Sequence, residues 1–405
     1  MSSGWSRTRS AARSGLRKTA GAVLLACCPA AAGASPAPIQ PMPPAEWRTP
    51  TVDEAPIALL VDLASGQTLF AREEERRFAP ASVTKVMTIY SALSRIAKGQ
   101  MKLDDRYAVS PAAFSAWRRR GSTMYLAADA RPTVEQLLLG IAAVSANDGA
   151  VVLAEGAAGS TDAWLGWMNA DARRLGMRDS RFGSVNGFPD GGGTYTSARD
   201  LVRLASALID EHPRLYRHFF GRPGYTFNGI TQRNHDPISG VIAGADGLKT
   251  GYTDEAGYTF LGSAERDGRR LVMVIAASDT ARQRDRAARA LMEWGFQAFD
   301  HHRLFAGGAA LAQAQVQGGT RRTVGLVAER PLGISVPRGT RPAVTMKVRY
   351  EGPLAAPIAQ GDHVADLHVR IDGLPPYTVP LLAAQDVGVA GPLDRILNGF
   401  ARWLR

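Results

Sequence analysis

The chain patterns as an α+β protein with a central antiparallel sheet in its larger domain, followed by a small all-β domain and a C-terminal amphipathic helix. Three observations predict this. Strand-like runs stand at both ends of residues 51–300 with helical periodicity between them. From about Gly307 the texture changes to short β-rich runs separated by Gly and Pro. In residues 391–405, Leu393, Ile396, Leu397, Phe400, Trp403 and Leu404 share one helical face. At 405 residues the chain also exceeds one ordinary core, so two folded domains are expected.

Taken in order, the amino terminus carries Arg7, Arg9, Arg13, Arg17 and Lys18 without an acid, then a mostly apolar stretch from Ala20 ending in Ala32-Gly33-Ala34. Residues 1–34 therefore read as a secretory signal peptide, too short and alanine-rich in its apolar part for a membrane span. Leu24-Leu25-Ala26-Cys27 resembles a lipoprotein cleavage box, but the small-residue site at Ala34 serves the same segment, and cleavage there is expected. Both cysteines, Cys27 and Cys28, lie in this leader, so the mature chain is expected to form no disulfide. Of the net charge of +11, the leader supplies five positive charges, leaving about +6 after cleavage. A basic exported protein suits anionic envelope partners such as lipid headgroups. Export, and the lack of a zinc-finger or aromatic-basic motif, argue against nucleic acid.

Residues 35–50, rich in Pro and Ala, read as a flexible lead-in. Residues 56–69 alternate around Ala58-Leu59-Leu60-Val61-Asp62 with Ser65-Gly66 as a turn, a strand hairpin. The spacing of Val83, Val86, Met87, Ile89, Tyr90 and Leu93 predicts a buried helix over 82–97 that carries Ser82 at its start. A second apolar helix over 133–144, opened by Pro132-Thr133-Val134-Glu135, delivers Ser145 and Asn147 at its end. Further helices are expected over 162–175 and 197–209, adjacent strands over 257–264 and 270–277, and a closing helix over 282–299. The domain of residues 307–385 holds strand-like runs at 324–327, 344–349, 363–371 and 377–382. The terminal helix, with Trp and Phe on one side and Arg on the other, fits an in-plane membrane anchor; docking on its own β-domain is the competing reading.

Within this frame stand three motifs in order: Ser82-Val83-Thr84-Lys85, Ser145-Ala146-Asn147 and Lys249-Thr250-Gly251. Ser-x-x-Lys places a hydroxyl and an amine one helical turn apart, so a neutral lysine can take the serine proton. About one such tetrad arises by chance in a chain this long, and Ser-x-Asn recurs at Ser184-Val185-Asn186, so neither is informative alone. The ordered set is. Ser145 follows Ser82 by 63 residues and Lys249 follows about a hundred later, before an apolar strand-like run, the combination of penicillin-binding proteins and class A β-lactamases.

The flanks narrow this. Residues 79–88 (Ala-Pro-Ala-Ser-Val-Thr-Lys-Val-Met-Thr) and 246–258, with Gly121-Ser122-Thr123-Met124-Tyr125-Leu126 and Asn228-Gly229-Ile230-Thr231-Gln232, resemble the low-molecular-mass penicillin-binding proteins, the D-alanyl-D-alanine carboxypeptidases. The resemblance spans roughly residues 50 to 300. It implies a penicillin-binding/β-lactamase-like serine hydrolase fold and removal of the terminal D-alanine from peptidoglycan stem peptides by a cofactor-free, acyl-enzyme route open to β-lactams. Ser82 is then the nucleophile, Lys85 the base and Ser145 the proton relay to the leaving amine. Asn147 bridges Lys85 and the substrate amide, and Lys249 and Thr250 hold the terminal carboxylate. Gly251 lets the strand backbone approach the substrate, and the backbone N–H groups of Ser82 and Tyr252 form the oxyanion hole. Many relatives carry His where this chain has Tyr252; the backbone donor survives that change. Asn234-His235-Asp236 only partly matches the family's Asn-basic-Asn segment, leaving Arg233 or His235 to help with the carboxylate.

No histidine pair has metal-ligand spacing, so no catalytic metal is expected. A class A β-lactamase also needs a Glu-x-x-Leu-Asn loop, and none stands between Asn147 and Lys249. A peptidoglycan endopeptidase and a non-catalytic envelope scaffold remain as alternatives. The protein is expected to act in the periplasm, attached to the inner membrane through residues 391–405.

Overall fold

The computed structural model describes residues 23–25 and 49–391. The remainder of the leader, the lead-in up to residue 48 and the terminal amphipathic run after residue 391 lie outside the described residues. The described chain forms two compact units: one of residues 49–303 with Gly333–Arg341, the other of residues 304–332 and 342–391 with the short strand β1 (Val23–Leu25).

In the larger unit, β2 (Ile57–Asp62) and β3 (Gln67–Arg72) form the amino-terminal hairpin. A 3-10 turn at Ala81–Thr84 leads into α1 (Lys85–Ala97), followed by α2 (Pro111–Trp117), α3 (Val134–Val144), α4 (Asn147–Ala158), α5 (Thr161–Arg174), α6 (Ala198–Glu211) and α7 (Pro213–Phe219). The hairpin β4 (Gly224–Phe227) and β5 (Ile230–Arg233) turns at Asn228-Gly229, both at positive φ (47° and 77°), as a two-residue hairpin turn demands. Then come β6 (Ala245–Thr253), β7 (Gly257–Arg266), β8 (Arg269–Ser278) and α8 (Ala281–Gln297). The sheet is antiparallel in the order β3-β2-β8-β7-β6, which leaves β6 at an edge.

Both faces of this sheet are covered, which is why β2 is buried at every residue. The period-two alternation of a strand divides its side chains. Ile57, Leu59 and Val61 join Val272 and Val274 in a core with the α1, α3 and α6 side chains, whereas Ala58 and Leu60 join Met273 and Ile275 against Leu291 and Met292 of α8.

The predicted α+β class with a central antiparallel sheet is therefore observed, with corrections at the site-bearing ends. Ser82 does not open α1; it lies in the preceding 3-10 turn, where Ala81 takes φ 49° after Pro80. Helix α3 stops at Ser145, itself left-handed at φ 63°, and Asn147 begins a separate helix. Both displacements come from backbone conformations that periodicity of apolar residues does not report. The closing helix ends at Gln297, because Phe299 already belongs to β9 (Phe299–Phe305).

The second unit is all-β. The strands β10 (Ala310–Gln317), β11 (Thr323–Val327), β13 (Val344–Arg349), β14 (Leu354–Ala355), β15 (His363–Ile371) and β16 (Tyr377–Ala383) form a sheet in the order β1-β13-β15-β16-β11-β10-β14. Strand β12 (Leu332–Pro337) pairs with β9, and its residues from Gly333 onward belong to the larger unit. There the Ser335 amide donates to Gln67 Oε1 at 2.6 Å and its hydroxyl to Asp62 Oδ2 at 2.5 Å.

Candidate active site

Lys85 is fully buried at the first turn of α1, and its Nζ lies 2.8 Å from Ser82 Oγ, a hydrogen bond whose proton can sit on either atom. The same Nζ donates to the Asn186 carbonyl at 2.6 Å. Burial, then the positive charge of Lys249, hold the Lys85 ammonium well below the ordinary lysine range, against the opposite pull of Asp148. Lys249 is itself brought down to about 7, first by burial and then by Arg284, with Asp236 opposing. Burial and the neighbouring Lys249 charge together favour the free amine of Lys85.

Three backbone segments meet around Ser82. Edge strand β6 passes it at Gly251, where a Cβ would stand 2.6 Å from the Pro80 carbonyl and 3.2 Å from the Ser82 nitrogen. Only glycine lets this strand run so close to the Ser82 turn. From the other side, Gly187 (φ 73°) packs on the same turn, and a Cβ there would meet the Ala81 carbonyl at 1.8 Å. The third segment joins α3 to α4: Ser145 is nearly buried in its left-handed conformation, and the Asn147 amide donates to the Arg120 carbonyl at 3.2 Å while its backbone N–H donates to Ser122.

A cleft of about 450 Å³ opens over these groups, lined by Ser82, Ser145, Asn147, Thr250, Gly251 and Tyr252. Lys249 lies beneath it on β6, 4 % exposed, donating to the Thr250 carbonyl. Tyr252 stacks on Tyr258 with ring centroids 4.2 Å apart and donates its hydroxyl to Asp254. His235 and Arg284 also line it, and Gly121, Asn147 and Phe188 stand together along it, the Asn147 amide nitrogen 2.7 Å and the Phe188 ring 3.8 Å from where a Gly121 Cβ would lie. The sequence-proposed His235 is thus at the cleft, whereas Arg233 is exposed on β5 and is not among its lining. The described residues contain no group of three or more His, Cys, Asp or Glu arranged to hold a metal ion, and no helix among them is long and apolar enough to cross a membrane.

Sequence reasoning missed four contributors. Asn186 stands in the second Ser-x-Asn, to which the sequence assigns no role, and its carbonyl holds Lys85. Gly187 follows it. Asp148 accepts three backbone N–H bonds, from Met124, Leu126 and Gly149, and burial raises its pKa all the same. Arg284 did leave a signal: it sits in the first turn of α8, capped by Thr280, where the helix dipole favours an acid and none of that turn's residues is one.

A serine and a buried lysine one turn apart, faced by a Lys-Thr-Gly edge strand, define a serine hydrolase of the penicillin-binding and β-lactamase-like class. Comparison with known proteins narrows it. The family model for D-alanyl-D-alanine carboxypeptidase matches residues 46–280, and that for the penicillin-binding protein 5 C-terminal domain matches residues 299–389. The D-alanyl-D-alanine carboxypeptidase DacA of Escherichia coli K12 is 31% identical over 347 residues, 84% of this chain and 85% of that protein. Penicillin-binding protein 5 of Haemophilus influenzae superposes with a TM-score of 0.73 at 28% identity, over 84% of this chain and 99% of that one. Penicillin-binding protein D2 of Listeria monocytogenes in its ampicillin-bound form does so with a TM-score of 0.52 at 30% identity, over 60% of this chain and 98% of that one. The chain belongs to the D-alanyl-D-alanine carboxypeptidase family of low-molecular-mass penicillin-binding proteins and is a serine peptidase.

Proposed function

We propose that the protein removes the terminal D-alanine of peptidoglycan stem peptides through an acyl-enzyme on Ser82, and that β-lactams acylate the same oxygen. The observation that carries this reading is the 2.8 Å approach of a fully buried Lys85 amine to the Ser82 hydroxyl. Neutral Lys85 takes the Ser82 proton as Oγ attacks the carbonyl of the penultimate D-alanine, and the Ser82 and Tyr252 backbone N–H groups stabilise the oxyanion. The C–N bond then breaks. The leaving D-alanine amine receives the proton from Lys85 through Ser145, which can accept and donate at once. Water attacks the ester, returning the proton to Ser82 and releasing the shortened peptide. Lys249 and Thr250, with Arg284 beside them, hold the terminal carboxylate, so a carboxylate is required next to the scissile bond. Asn147 positions the amide on the acyl side.

Intact mass after exposure to penicillin, with peptide mapping, tests this alongside D-alanine release from diacetylated Lys-D-Ala-D-Ala. The expected result is an adduct on Ser82, with both adduct and release lost in Ser82→Ala. Neither adduct nor release from the unaltered enzyme defeats the proposal, and an adduct without release redirects it to endopeptidase activity. The ampicillin-bound Listeria relative supports the β-lactam part.

The basic, apolar leader and the terminal amphipathic run support export to the periplasm and peripheral attachment to the inner membrane. Deleting residues 391–405 is expected to move the protein from the membrane to the soluble fraction of lysed cells; an unchanged membrane fraction counts against the anchor.

A further inference from the structure

Asp148 is a buried acid that the proposed reaction does not use. It stands directly after Asn147 in the first turn of α4, and these two consecutive residues bind every second residue of one segment. The Asn147 side-chain amide donates to the Arg120 carbonyl at 3.2 Å, and its backbone N–H donates to the Ser122 carbonyl at 2.8 Å. Asp148 Oδ1 accepts from the Met124 N–H at 3.0 Å and Oδ2 from the Leu126 N–H at 3.2 Å. Residues 120–126 are thus laced along the start of α4, and Gly121 and Ser122 among them line the cleft with Ser82 and Ser145.

Two further anchors hold the segment. Met124 is buried against glycines of two helices: a Cβ on Gly140 of α3 would stand 2.6 Å from its sulfur and one on Gly149 of α4 3.0 Å. Gln232 of β5 donates to the Thr123 carbonyl at 2.9 Å. Between Met124 and Leu126, Tyr125 is left-handed at φ 59°, a conformation that an aromatic residue keeps only where its surroundings impose it. The N–H groups on both sides of it end on one carboxylate, which supplies that constraint.

The same carboxylate acts on the base. Lys85 feels two opposed charges, from Lys249 of β6 and from Asp148 of α4; its hydrogen-bond partners, the Ser82 hydroxyl and the Asn186 carbonyl, are neutral. When the buried amine takes the Ser82 proton it becomes an ammonium, and a fixed anion favours that change. Around Asp148 itself stand its N–H donors, from Met124, Leu126 and Gly149, and the ionisable Arg118, Arg119 and Tyr125, which share with it the lining of a cavity of about 180 Å³.

We propose that Asp148 is a positioning residue of the reaction: its carboxylate fixes residues 120–126 along the cleft, and its charge favours the ammonium that Lys85 becomes on accepting the Ser82 proton. This rests on the acyl-enzyme reading above. Removing the charge has a signature that loosening the segment lacks. Lys85 becomes a weaker base, so it is free of its proton at lower pH yet takes the serine proton less readily.

The test is the rate of penicillin acylation at Ser82 across pH in the unaltered enzyme, Asp148→Asn and Gln232→Ala. Asp148→Asn is nearly isosteric and removes the charge. Its plateau rate is expected to fall about tenfold, and its acid limb to move to lower pH. Gln232→Ala releases the same segment at Thr123 without touching a charge, and its acid limb is expected to stay in place. An unmoved limb or a native plateau rate in Asp148→Asn overturns the proposal. So does an equal displacement of the limb in Gln232→Ala, since loosening of the segment would then account for it. If Asp148→Asn does not fold, Asp148→Glu carries the test: the charge is kept and displaced by a methylene, so the plateau falls while the limb stays. A moved limb or a native plateau rate there overturns the proposal as well. Absence of any adduct on Ser82 in the unaltered enzyme defeats the acyl-enzyme reading instead, which keeps the two failures apart.

Discussion

At the scale of single residues, the site is built from two lysines that the fold removes from water. A lysine whose folded pKa is lowered binds fewer protons than in the unfolded chain between the two values, so its contribution to stability rises with pH across that window. For Lys249 the window opens at about 7 and extends to the ordinary lysine range. Under the proposed mechanism its effect on activity has the opposite sign: as pH rises through about 7, free enzyme loses the charge proposed to hold the carboxylate, and kcat/KM is expected to fall. Lys249→Arg is therefore expected to keep measurable activity while its alkaline limb shifts above the lysine range, because arginine stays charged. An unchanged alkaline limb in that variant would assign the titration elsewhere. Ser82 and Lys85 were legible in the sequence because their spacing is local, one helical turn. Asn186 was not, since a backbone carbonyl is carried by every residue and no letter marks the one that will face an amine.

At the scale of elements, the decisive fact is that β6 is an edge strand lying against the nucleophile turn. An edge strand has one row of backbone groups free to pair with an extended peptide, which suits a substrate that must present its carbonyl to Ser82. Gly251→Ala forces either β6 or the Pro80-Ala81 turn to move, because the new methyl would lie 2.6 Å from the Pro80 carbonyl. We expect about a 100-fold loss in penicillin acylation rate, with a thermal midpoint shifted by only a few degrees; acylation at the native rate would show that the approach is not needed. The Lys-Thr-Gly motif was readable, but its partner turn was not, because positive φ at Ala81 and Ser145 is set by packing rather than by residue type. The helix α2, the short helix α7 and the hairpin β4–β5 also escaped the sequence reading, being too short for periodicity to register.

At the scale of the whole molecule, the larger unit is clamped by a buried ion pair far from the nucleophile in sequence. Asp62 on β2 is fully buried, accepts from Arg269 Nε at 2.7 Å and from Ser335, and so ties β2, β8 and the returning segment Gly333–Arg341 into one body. Burial alone raises its pKa, but His301, Arg269 and Ser335 together outweigh burial and hold the carboxyl below its ordinary value. The stabilisation is thus present above the unfolded carboxylate pKa and lost as pH falls through the lower folded one. Asp62→Ala leaves Arg269 buried without its counter-charge and is expected to destabilise by about 3–5 kcal/mol. Chemical denaturation at neutral pH measures it, and a loss under 1 kcal/mol would refute the clamp. The sequence by itself determined the class, the order of the domains' textures and the spacing that puts Lys85 one turn from Ser82. Those follow from spacing and periodicity, which are properties of neighbouring residues. Only the tertiary structure decided that Asn186 holds Lys85, that Arg284 comes near enough to Lys249 for its charge to be felt there, and that burial brings Lys249 to about 7. Each of these depends on groups distant in the chain meeting in a low-dielectric interior, and neither proximity nor dielectric is written in local order.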